Sequence, residues 1–314
     1  MFDNKRLNSL LSTIGPFIGL LLIIIIITIL NPSFLSFSNI LNVLRQVSIN
    51  ALIAFGMTFV ILTGGIDLSV GAILAFSGAV TATLMASGVD PILAMLIGLL
   101  VGAILGAING FIIAKGKVAP FIATLATMTI YRGLTLMFTD GRPVSGLGES
   151  AIFEMLGRGY FFGVPVPAMT MMISFLVLYL ILKKTTFGRR VYAVGGNEEA
   201  SILSGIKVDR IKIYVYSLTG FLSALAGIIL TSRLNSAQPT AGTMYELDAI
   251  AAVVLGGTSL TGGRGWIVGT LIGALIIGVL NNGLNLLGVS SFFQQVVKGS
   301  VILLAVLLDR KKNA

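Results

Sequence analysis

Two acidic residues lie within or beside the long apolar runs of this sequence and are the first candidates for chemistry. Asp67 follows the Gly64-Gly65 pair, and Asp248 lies in a short apolar run. An ionised carboxylate within a hydrocarbon layer costs about 2.5–3.5 kcal/mol on insertion scales, so each needs a partner or water. Asp67 is predicted chiefly as a structural N-cap of the helix that follows it, with contact to a substrate or gate as the alternative. The role of Asp248 is left open.

The residue inventory excludes several kinds of catalysis. The sequence contains no histidine and no cysteine, which removes thiol and Ser-His nucleophiles, zinc held by these ligands, haem on histidine and iron–sulfur clusters. An intramembrane aspartyl protease would need two facing carboxylates that share a proton. The membrane topology that the apolar runs and the basic residues predict puts Asp67 near the inner face of the membrane and Asp248 near the outer face. No catalytic residue and no metal site are therefore predicted.

A group of neutral amides near the C-terminus has the right chemistry to contact the hydroxyl groups of a solute. Amide groups both donate to and accept from hydroxyl groups without burying a charge. Interhelical hydrogen bonding, worth about 0.6 kcal/mol on average, is the alternative role for each of them. The candidate translocation pathway comprises Asn281, Asn282, Asn285, Gln294, Gln295 and Asp248.

The loop between Lys183 and Lys212 contains a predicted short helix outside the membrane. Asn197 is a good N-cap, and Glu198 and Glu199 complement the first helical turn. A glycine at position 205 suits the end of the helix. Its small apolar face, formed by Ala200, Ile202 and Leu203, predicts either docking to a partner protein or an ordinary surface helix on the bilayer; the acidic pair disfavours the bilayer.

Membrane helices must position these residues. The chain has 314 residues, of which 56% are hydrophobic and 11% charged, whereas a soluble domain has about 25% charged residues. About 20 apolar residues span the hydrocarbon layer. We therefore predict an all-α integral membrane protein with about ten transmembrane helices in a single domain over residues 1–314. The predicted spans are 12–30, 46–63, 68–87, 92–114, 119–139, 166–182, 213–232, 247–257, 266–288 and 291–308. The short eighth span is predicted to cross, starting near Thr240.

The positions of the basic residues set the orientation. The formal net charge is +9, and most Lys and Arg residues lie in loops on one predicted side, as the positive-inside rule requires of the cytoplasmic face. They form no patch interleaved with aromatic residues, so nucleic acid is not a predicted partner. The predicted location is a bacterial cell (inner) membrane, multi-pass, with both termini cytoplasmic.

Glycine stripes predict close helix packing and an internal repeat. Small residues at every fourth position let membrane helices approach closely. Local matches between the fourth and ninth spans, which run in opposite directions, predict an inverted repeat of spans 2–5 and 7–10, although chance similarity between glycine-rich apolar segments is the alternative. Inverted repeats are common in transporters. The predicted packing residues are Gly98, Gly102, Gly106, Gly110, Gly269 and Gly273.

Three stretches carry a family resemblance. Residues 63–71, with the sequence TGGIDLSVG, and residues 236–260, from Ser236 to Leu260, resemble the signature of ribose-type sugar permeases of ABC transporters. The loop at about 185–212 resembles the coupling loop of such permeases. The resemblance implies contact with an ATPase through Gly195, Gly196, Asn197, Glu198, Glu199, Ala200, Ser204 and Gly205. It leaves open whether Glu198 or Glu199 takes the motif position.

The resemblance also implies the partners. They are a second copy of the permease, an ATP-binding subunit with two nucleotide-binding halves, and an extracytoplasmic sugar-binding protein that delivers a monosaccharide, with ribose favoured. Residues 110–118 superficially resemble a phosphate-binding loop, but five residues separate the glycines instead of four, and Val118 stands where Ser or Thr must hold magnesium. We therefore expect no cofactor in this chain and place ATP and magnesium on the partner.

An ion-coupled secondary sugar transporter is the alternative function. An inverted repeat suits that class, but such carriers need titratable groups in the middle of the membrane. In this sequence those groups are few and lie near predicted helix ends.

Overall fold

Helices form nearly all of the architecture. The computed structural model describes the backbone of residues 2–313 and the side chains of residues 15–301, 303 and 307. The helices in chain order are α1 Phe2–Leu30, α2 Phe37–Leu62, α3 Val70–Ala86, α4 Pro91–Gly116, α5 Pro120–Phe138, α6 Ala151–Arg158, α7 Val166–Lys184, α8 Thr186–Gly196, α9 Glu198–Leu203, α10 Val208–Leu234, α11 Tyr245–Leu255, α12 Ile267–Leu286 and α13 Ser291–Asn313. A 3-10 turn over Pro32–Leu35 joins α1 to α2.

A small hairpin interrupts the helical pattern between α6 and α7. Strand β1, Tyr160–Phe161, pairs antiparallel with β2, Val164–Pro165, so that Tyr160 lies opposite Pro165. Gly163, with φ 78°, allows the tight turn between the strands.

Six helices within the described residues, α2, α4, α5, α7, α10 and α12, are long and apolar enough to cross a membrane. Two shorter apolar helical stretches, Gly15–Leu30 and Val70–Ala86, accompany them. The prediction of an all-α, multi-pass membrane protein is thereby confirmed at this level. The count of about ten crossings stays a prediction.

Helices α2, α10 and α12 form the interior of the bundle. They bury most of their apolar side chains within the protein, whereas α4, α5 and α7 leave most of theirs on the outside, where hydrocarbon is the natural neighbour. Phe55 and Phe59 of α2 and Tyr216 of α10 are among the largest fully buried side chains. The core is therefore built around α2 and α10.

The glycine stripes lie where helix backbones meet. A Cβ atom added at Gly106 of α4 would lie 3.0 Å from the Cα of Gly220 in α10, and one at Gly110 would lie 2.6 Å from the Cα of Ile213. Gly98 and Gly102 of α4 also abut the neighbouring helices α3 and α10. Gly269 and Gly273 of α12 abut the backbone of Gly256 and α11. Each position lacks room for a side chain, because the helices pack backbone to backbone.

The contacts between helices form two similar sets, one around α3 and α4 and the other around α11 and α12. Helix α4 packs on α10, and α12 packs on α2. Helix α3 contacts α10, α4 and α5, while α11 contacts α2, α12 and α13.

The predicted eighth span differs from the structure. Instead of a membrane-length helix from Thr240, the chain forms only the 11-residue helix α11, which rises about 16 Å, well short of the hydrocarbon thickness of about 30 Å. Two positive-φ residues, Gly242 (φ 72°) and Met244 (φ 71°), break the helix before Tyr245. The non-helical stretch is held by Arg132 of α5, whose Nη1 donates to the carbonyl oxygens of Pro239 and Ala241 at 2.8 and 2.7 Å.

Candidate functional site

Helix α9 begins after the N-cap residue that the sequence predicts. The Oδ1 atom of Asn197 accepts a hydrogen bond from the backbone N–H of Ala200 at 2.9 Å, and Glu198 and Glu199 occupy the first turn. The helix ends at Leu203, and Gly205 follows with φ 80°. The N-cap and glycine-stop predictions are therefore confirmed, while Ser204 occupies the C-cap position.

The apolar residues of α9 face outward. The exposed fractions of Ile202 and Leu203 are 56% and 89%, and Ala200 is also exposed, whereas Ser201 is buried. Exposed aliphatic side chains on a polar loop are a typical feature of contact surfaces. We call Glu199, Ala200, Ile202 and Leu203 the α9 surface.

The two glutamates of α9 have different surroundings. Both carboxylate oxygens of Glu198 accept from Nζ of Lys212 in α10, at 2.7 and 2.8 Å. No ion pair involves Glu199 among the residues whose side chains are described. Glu198 thus ties α9 to the membrane helix that follows it, and Glu199 keeps its charge available on the α9 surface.

Helix α8 joins α9 to the interior of the bundle. The hydroxyl of Tyr192 donates to the carbonyl oxygen of Gly265 at 2.8 Å, and burial raises the pKa of that hydroxyl, which keeps it a neutral donor. Gly195 lies directly against the backbone of Leu62, at the end of α2. Leu62 in turn accepts from the backbone N–H of Gly263 at 3.0 Å. The end of α2 and the loop before α12 are therefore in contact with the segment that carries α9.

The expectation that Asp67 is the N-cap of α3 is wrong by two positions. The N-cap residue is Ser69. Oδ1 of Asp67 accepts from the backbone N–H and the hydroxyl of Ser69 at 2.9 and 2.7 Å, so Asp67 orders the turn two residues before the cap. Ser69 also accepts from Nδ2 of Asn109 in α4 at 2.7 Å, and Asn109 accepts from Tyr131 of α5 at 3.1 Å. The carboxylate therefore anchors a network that links α3, α4 and α5.

Asp248, whose role the sequence left open, has a structural partner. Its Oδ2 atom lies 3.0 Å from Nζ of Lys298 in α13 and 3.5 Å from Nδ2 of Asn50 in α2. The buried acid therefore connects three helices. Asp248 and Asp67 belong to separate hydrogen-bond networks, whereas an aspartyl protease needs two carboxylates that face each other.

The predicted amide group divides into separate pairs. Asn282 and Asn39 of α2 exchange hydrogen bonds at 2.9 and 3.0 Å and are both buried. Gln294 donates to Asn285 at 2.9 Å, and Gln295 is exposed. Within the described residues, Oδ1 of Asn281 is buried without a hydrogen-bond partner. Asn282 thus makes the interhelical hydrogen bonds that the sequence allows as the alternative role, and lining of a pathway by the group stays a prediction.

Comparison with known proteins decides the class. A family described as the branched-chain amino acid transport system / permease component matches residues 39–306. The ribose import permease protein RbsC of Bacillus subtilis (strain 168) is 70% identical over 314 residues, covering 99% of this chain and 98% of that protein. The chain belongs to this permease family.

Of two further relatives of the permease, one is named for ribose and a more distant one for another sugar. The ribose import permease protein RbsC of Escherichia coli (strain K12) is 58% identical over 298 residues, covering 94% of this chain and 93% of that protein. The D-allose transport system permease protein AlsC of the same organism is 45% identical over 298 residues, covering 94% and 91%. No solved structure matches the permease significantly. As a permease component, the chain is a membrane-embedded transport subunit and not an enzyme.

Sequence reasoning missed several residues that organise the permease. Tyr192 and Lys212 position the segment around α9. Lys298, which its place within a predicted span leads us to expect to be either snorkelling or paired, pairs with Asp248. A lysine within an apolar span is itself a signal for a nearby buried acid, which could have pointed to Asp248. No comparable signal marks Tyr192, because its partner is a backbone carbonyl 73 positions along the chain.

Proposed function

We propose that this permease is the membrane-spanning subunit of an ATP-driven importer that translocates ribose. The observation that carries the proposal is the identity of 70% and 58%, over nearly the whole chain, to two permeases named for ribose import. Relatives named for other sugars are more distant, as the 45% identity to the D-allose permease illustrates.

The ATP-hydrolysing subunit is a separate partner that docks on the α9 surface. The exposed aliphatic pair Ile202 and Leu203 supports this assignment, together with Glu199, which forms no ion pair with any side chain that the structure describes. Gly110, the first glycine of the stretch that resembles a phosphate-binding loop, is buried inside helix α4, where no loop can wrap a phosphate. This supports placing ATP and magnesium on the partner.

We assign the transmission of a conformational change from the ATPase to two connections between the α9 segment and the rest of the bundle. One is the salt bridge from Glu198 to Lys212 on α10, and the other is the contact of Tyr192 and Gly195 with the Gly265 region and the end of α2. A partner that binds one conformation of the permease better than another shifts the population of the two. The proposed cycle therefore couples closure of the ATPase halves to repacking of α2, α10 and α12.

In this proposal α2–α5 and α10–α13 form an inverted repeat, which gives the bundle two alternative ways of packing its helices. In this scheme α2 corresponds to α10, α3 to α11, α4 to α12 and α5 to α13. The contacts of α4 with α10 and of α3 with α5 then correspond to those of α12 with α2 and of α11 with α13, which supports the repeat. The scheme gives ten crossings when the non-helical residues 236–244 and the short helix α11 together form the eighth, with both termini and the α8–α9 segment in the cytoplasm.

The remaining partners are a second permease copy and an extracytoplasmic binding protein that delivers the sugar, as the family resemblance implies. Because the binding protein selects the sugar, the permease needs no tight site of its own. Asn281, whose buried Oδ1 has no hydrogen-bond partner in the described part of the chain, is the strongest remaining candidate for the pathway, with Asn285, Gln294 and Gln295 nearer the surface.

Substrate identity is tested by uptake in cells that lack their own ribose importer and express this permease with its partners. Labelled ribose should accumulate, and an excess of unlabelled ribose should suppress the signal at least ten times more effectively than an excess of D-allose or L-arabinose. Equal suppression by all three sugars would reject the assignment of ribose.

Orientation is tested by cysteine labelling, for which the chain is suited because it has no native cysteine. Leu203→Cys on the α9 surface should react in intact cells only with a membrane-permeable maleimide, and Phe162→Cys, on the hairpin, should react with an impermeable one. Both side chains are highly exposed, at 89% and 93%. The reverse labelling pattern would invert the topology and remove the docking assignment.

A further inference from the structure

A cavity of about 310 Å³ lies between the end of α7, helix α8 and the start of α12. Its walls include Leu182, Tyr192, Trp266 and Val268, and Lys183 and Arg189 are the two basic residues that line it. The volume is at the lower end of the range of about 300–1,000 Å³ that is typical of small-ligand sites. None of its eight lining residues is acidic.

The polar groups of the aromatic walls are already bonded. The indole Nε1 of Trp266 donates to the carbonyl oxygen of Gly256 at 3.0 Å, and the hydroxyl of Tyr192 donates to Gly265. Both rings therefore offer apolar surface to an occupant, and the remaining polar capacity of the cavity belongs to its two cations and to the hydroxyl of Tyr179.

The two cations keep unused hydrogen-bonding capacity. Nζ of Lys183 donates to the hydroxyl of Tyr179 at 3.0 Å and retains further donors, since an ammonium has three. Arg189 has no ion pair among the residues whose side chains are described. Guanidinium and ammonium groups without acidic partners are suited to a phosphate, which an Arg can bind through two parallel hydrogen bonds.

The charge of the whole segment favours an anion at this place. Lys183, Lys184, Arg189 and Arg190 fall within eight positions, and no acidic residue occurs between positions 155 and 197. Basic clusters directly beyond the cytoplasmic end of a transmembrane helix typically attract anionic lipid headgroups.

The apolar surroundings distinguish a lipid from a soluble anion. Helix α7 runs away from the cavity with exposed aliphatic side chains at Ile173, Leu176, Val177 and Leu180. In a multi-pass membrane protein this face meets hydrocarbon, so a ligand can place its phosphate between the two cations and its chains along α7.

We propose that this cavity is a binding site for the headgroup of an anionic phospholipid of the inner leaflet. Lys183 and Arg189 bind the phosphate, and Val268 together with the exposed aliphatic side chains of α7 contacts the first part of the acyl chains. The leaflet rests on the proposed orientation; the chemistry of the site does not. An occupant here would brace α8, and with it the Tyr192–Gly265 contact that joins the α9 segment to the bundle.

The test measures phosphatidylglycerol retained on the full-length permease in detergent by native mass spectrometry, with phosphatidylcholine as the zwitterionic comparison. The variant K183Q/R189Q should bind phosphatidylglycerol at least about 10-fold more weakly than the unmodified chain, because each cation near the phosphate contributes to binding. The control variant K184Q/R190Q removes the same charge from neighbouring positions that add to the positive field but do not line the cavity, so its loss of affinity should be several-fold smaller than that of K183Q/R189Q. Melting temperatures measured without lipid serve to check that both variants are folded.

Four results would overturn the proposal. Equal losses in both variants would indicate general attraction to a basic surface, and no loss in K183Q/R189Q would remove the site. Displacement of the lipid by millimolar inorganic phosphate, with equal protection of the permease against unfolding, would assign the cavity to a soluble anion. Unchanged lipid binding with loss of the ATPase subunit in K183Q/R189Q would make this face a protein contact. None of these readouts depends on ribose transport, so the site fails or stands separately from the proposed function.

Discussion

Lys298 of α13 forms an ion pair with Asp248 of α11, with 3.0 Å between Nζ and Oδ2, and the acid side chain is only 4% exposed. Burial makes this pair more consequential than a surface salt bridge. Removing one partner leaves the other charge without compensation, which typically costs about 3–5 kcal/mol, whereas replacing both removes the problem.

The first prediction follows from that pair. Lys298→Met should lower the free energy of unfolding in mixed micelles by about 3 kcal/mol or more, and adding Asp248→Asn should restore most of the loss. The control is Arg158→Gln, which breaks the exposed Glu154–Arg158 pair and should cost less than about 1 kcal/mol. A double variant as unstable as the sum of its single variants would show that the two side chains act independently.

The second prediction concerns the Asn39–Asn282 pair. Asn282→Leu leaves Oδ1 and one N–H of the buried Asn39 amide without their partner, while Nδ2 still donates to Phe34, and should destabilise the permease by about 1–3 kcal/mol. The Asn39→Leu/Asn282→Leu double variant should be more stable than additivity predicts. Asn285→Leu, at an exposed position, is the control and should change stability by about 0.5 kcal/mol or less. Additive losses in the double-mutant cycle would mean that the pair is not coupled.

The third prediction tests the glycine contact between α4 and α10. Gly106→Ala places a methyl group against the α10 backbone and should cost about 1–3 kcal/mol through overpacking. Gly133→Ala in α5 meets nothing within 4 Å and should be neutral or stabilising, because Ala is the better helix former by about 1 kcal/mol. Thermal unfolding in detergent measures both, and equal effects would argue against close α4–α10 packing.

The fourth prediction addresses the α9 surface. Leu203→Asp should leave the melting temperature unchanged, since the side chain is 89% exposed, but should reduce co-purification of the ATPase subunit at least about 10-fold, a loss typical of an interface anchor. Glu199→Lys should weaken docking without breaking the Glu198–Lys212 bridge. Phe162→Asp on the hairpin is the matched exposed control and should retain the ATPase. Normal capture of the ATPase by Leu203→Asp would place the docking site elsewhere.

The fifth prediction separates docking from transmission. Tyr192→Phe removes the hydrogen bond to Gly265 and should cost about 1 kcal/mol, retain ATPase binding, and lower the ribose imported per ATP hydrolysed. Tyr214→Phe, whose ring is 58% exposed, should leave that ratio unchanged. If Tyr192→Phe transports ribose with normal coupling, the contact is only structural.

Local patterns in the sequence predicted local structure well. The Asn197 cap, the acidic first turn of α9 and the turn at Gly205 all depend on residues within a few positions of one another, so their chemistry can be recognised in the sequence. The apolar runs likewise predicted most helices, because membrane spans must satisfy their own backbone groups.

Features that depend on distant contacts could not be predicted in this way. The non-helical stretch before α11 is held by Arg132, more than a hundred positions away, and the helix begins only after the positive-φ residues Gly242 and Met244. The amide group divides because Asn39 lies opposite Asn282, a pairing across 243 positions. Sequence spacing identified polar residues within the membrane but not which helix each one faces.

The most direct test of the central claim is ribose uptake into liposomes that contain the permease with its ATPase subunit, with binding protein and labelled ribose outside. Uptake should require ATP and magnesium in the lumen, which corresponds to the cytoplasmic side, should stop when the ATPase is omitted, and should persist when a protonophore and a sodium ionophore collapse ion gradients. Accumulation of ribose by the permease alone, driven by a proton or sodium gradient without ATP, would contradict the account.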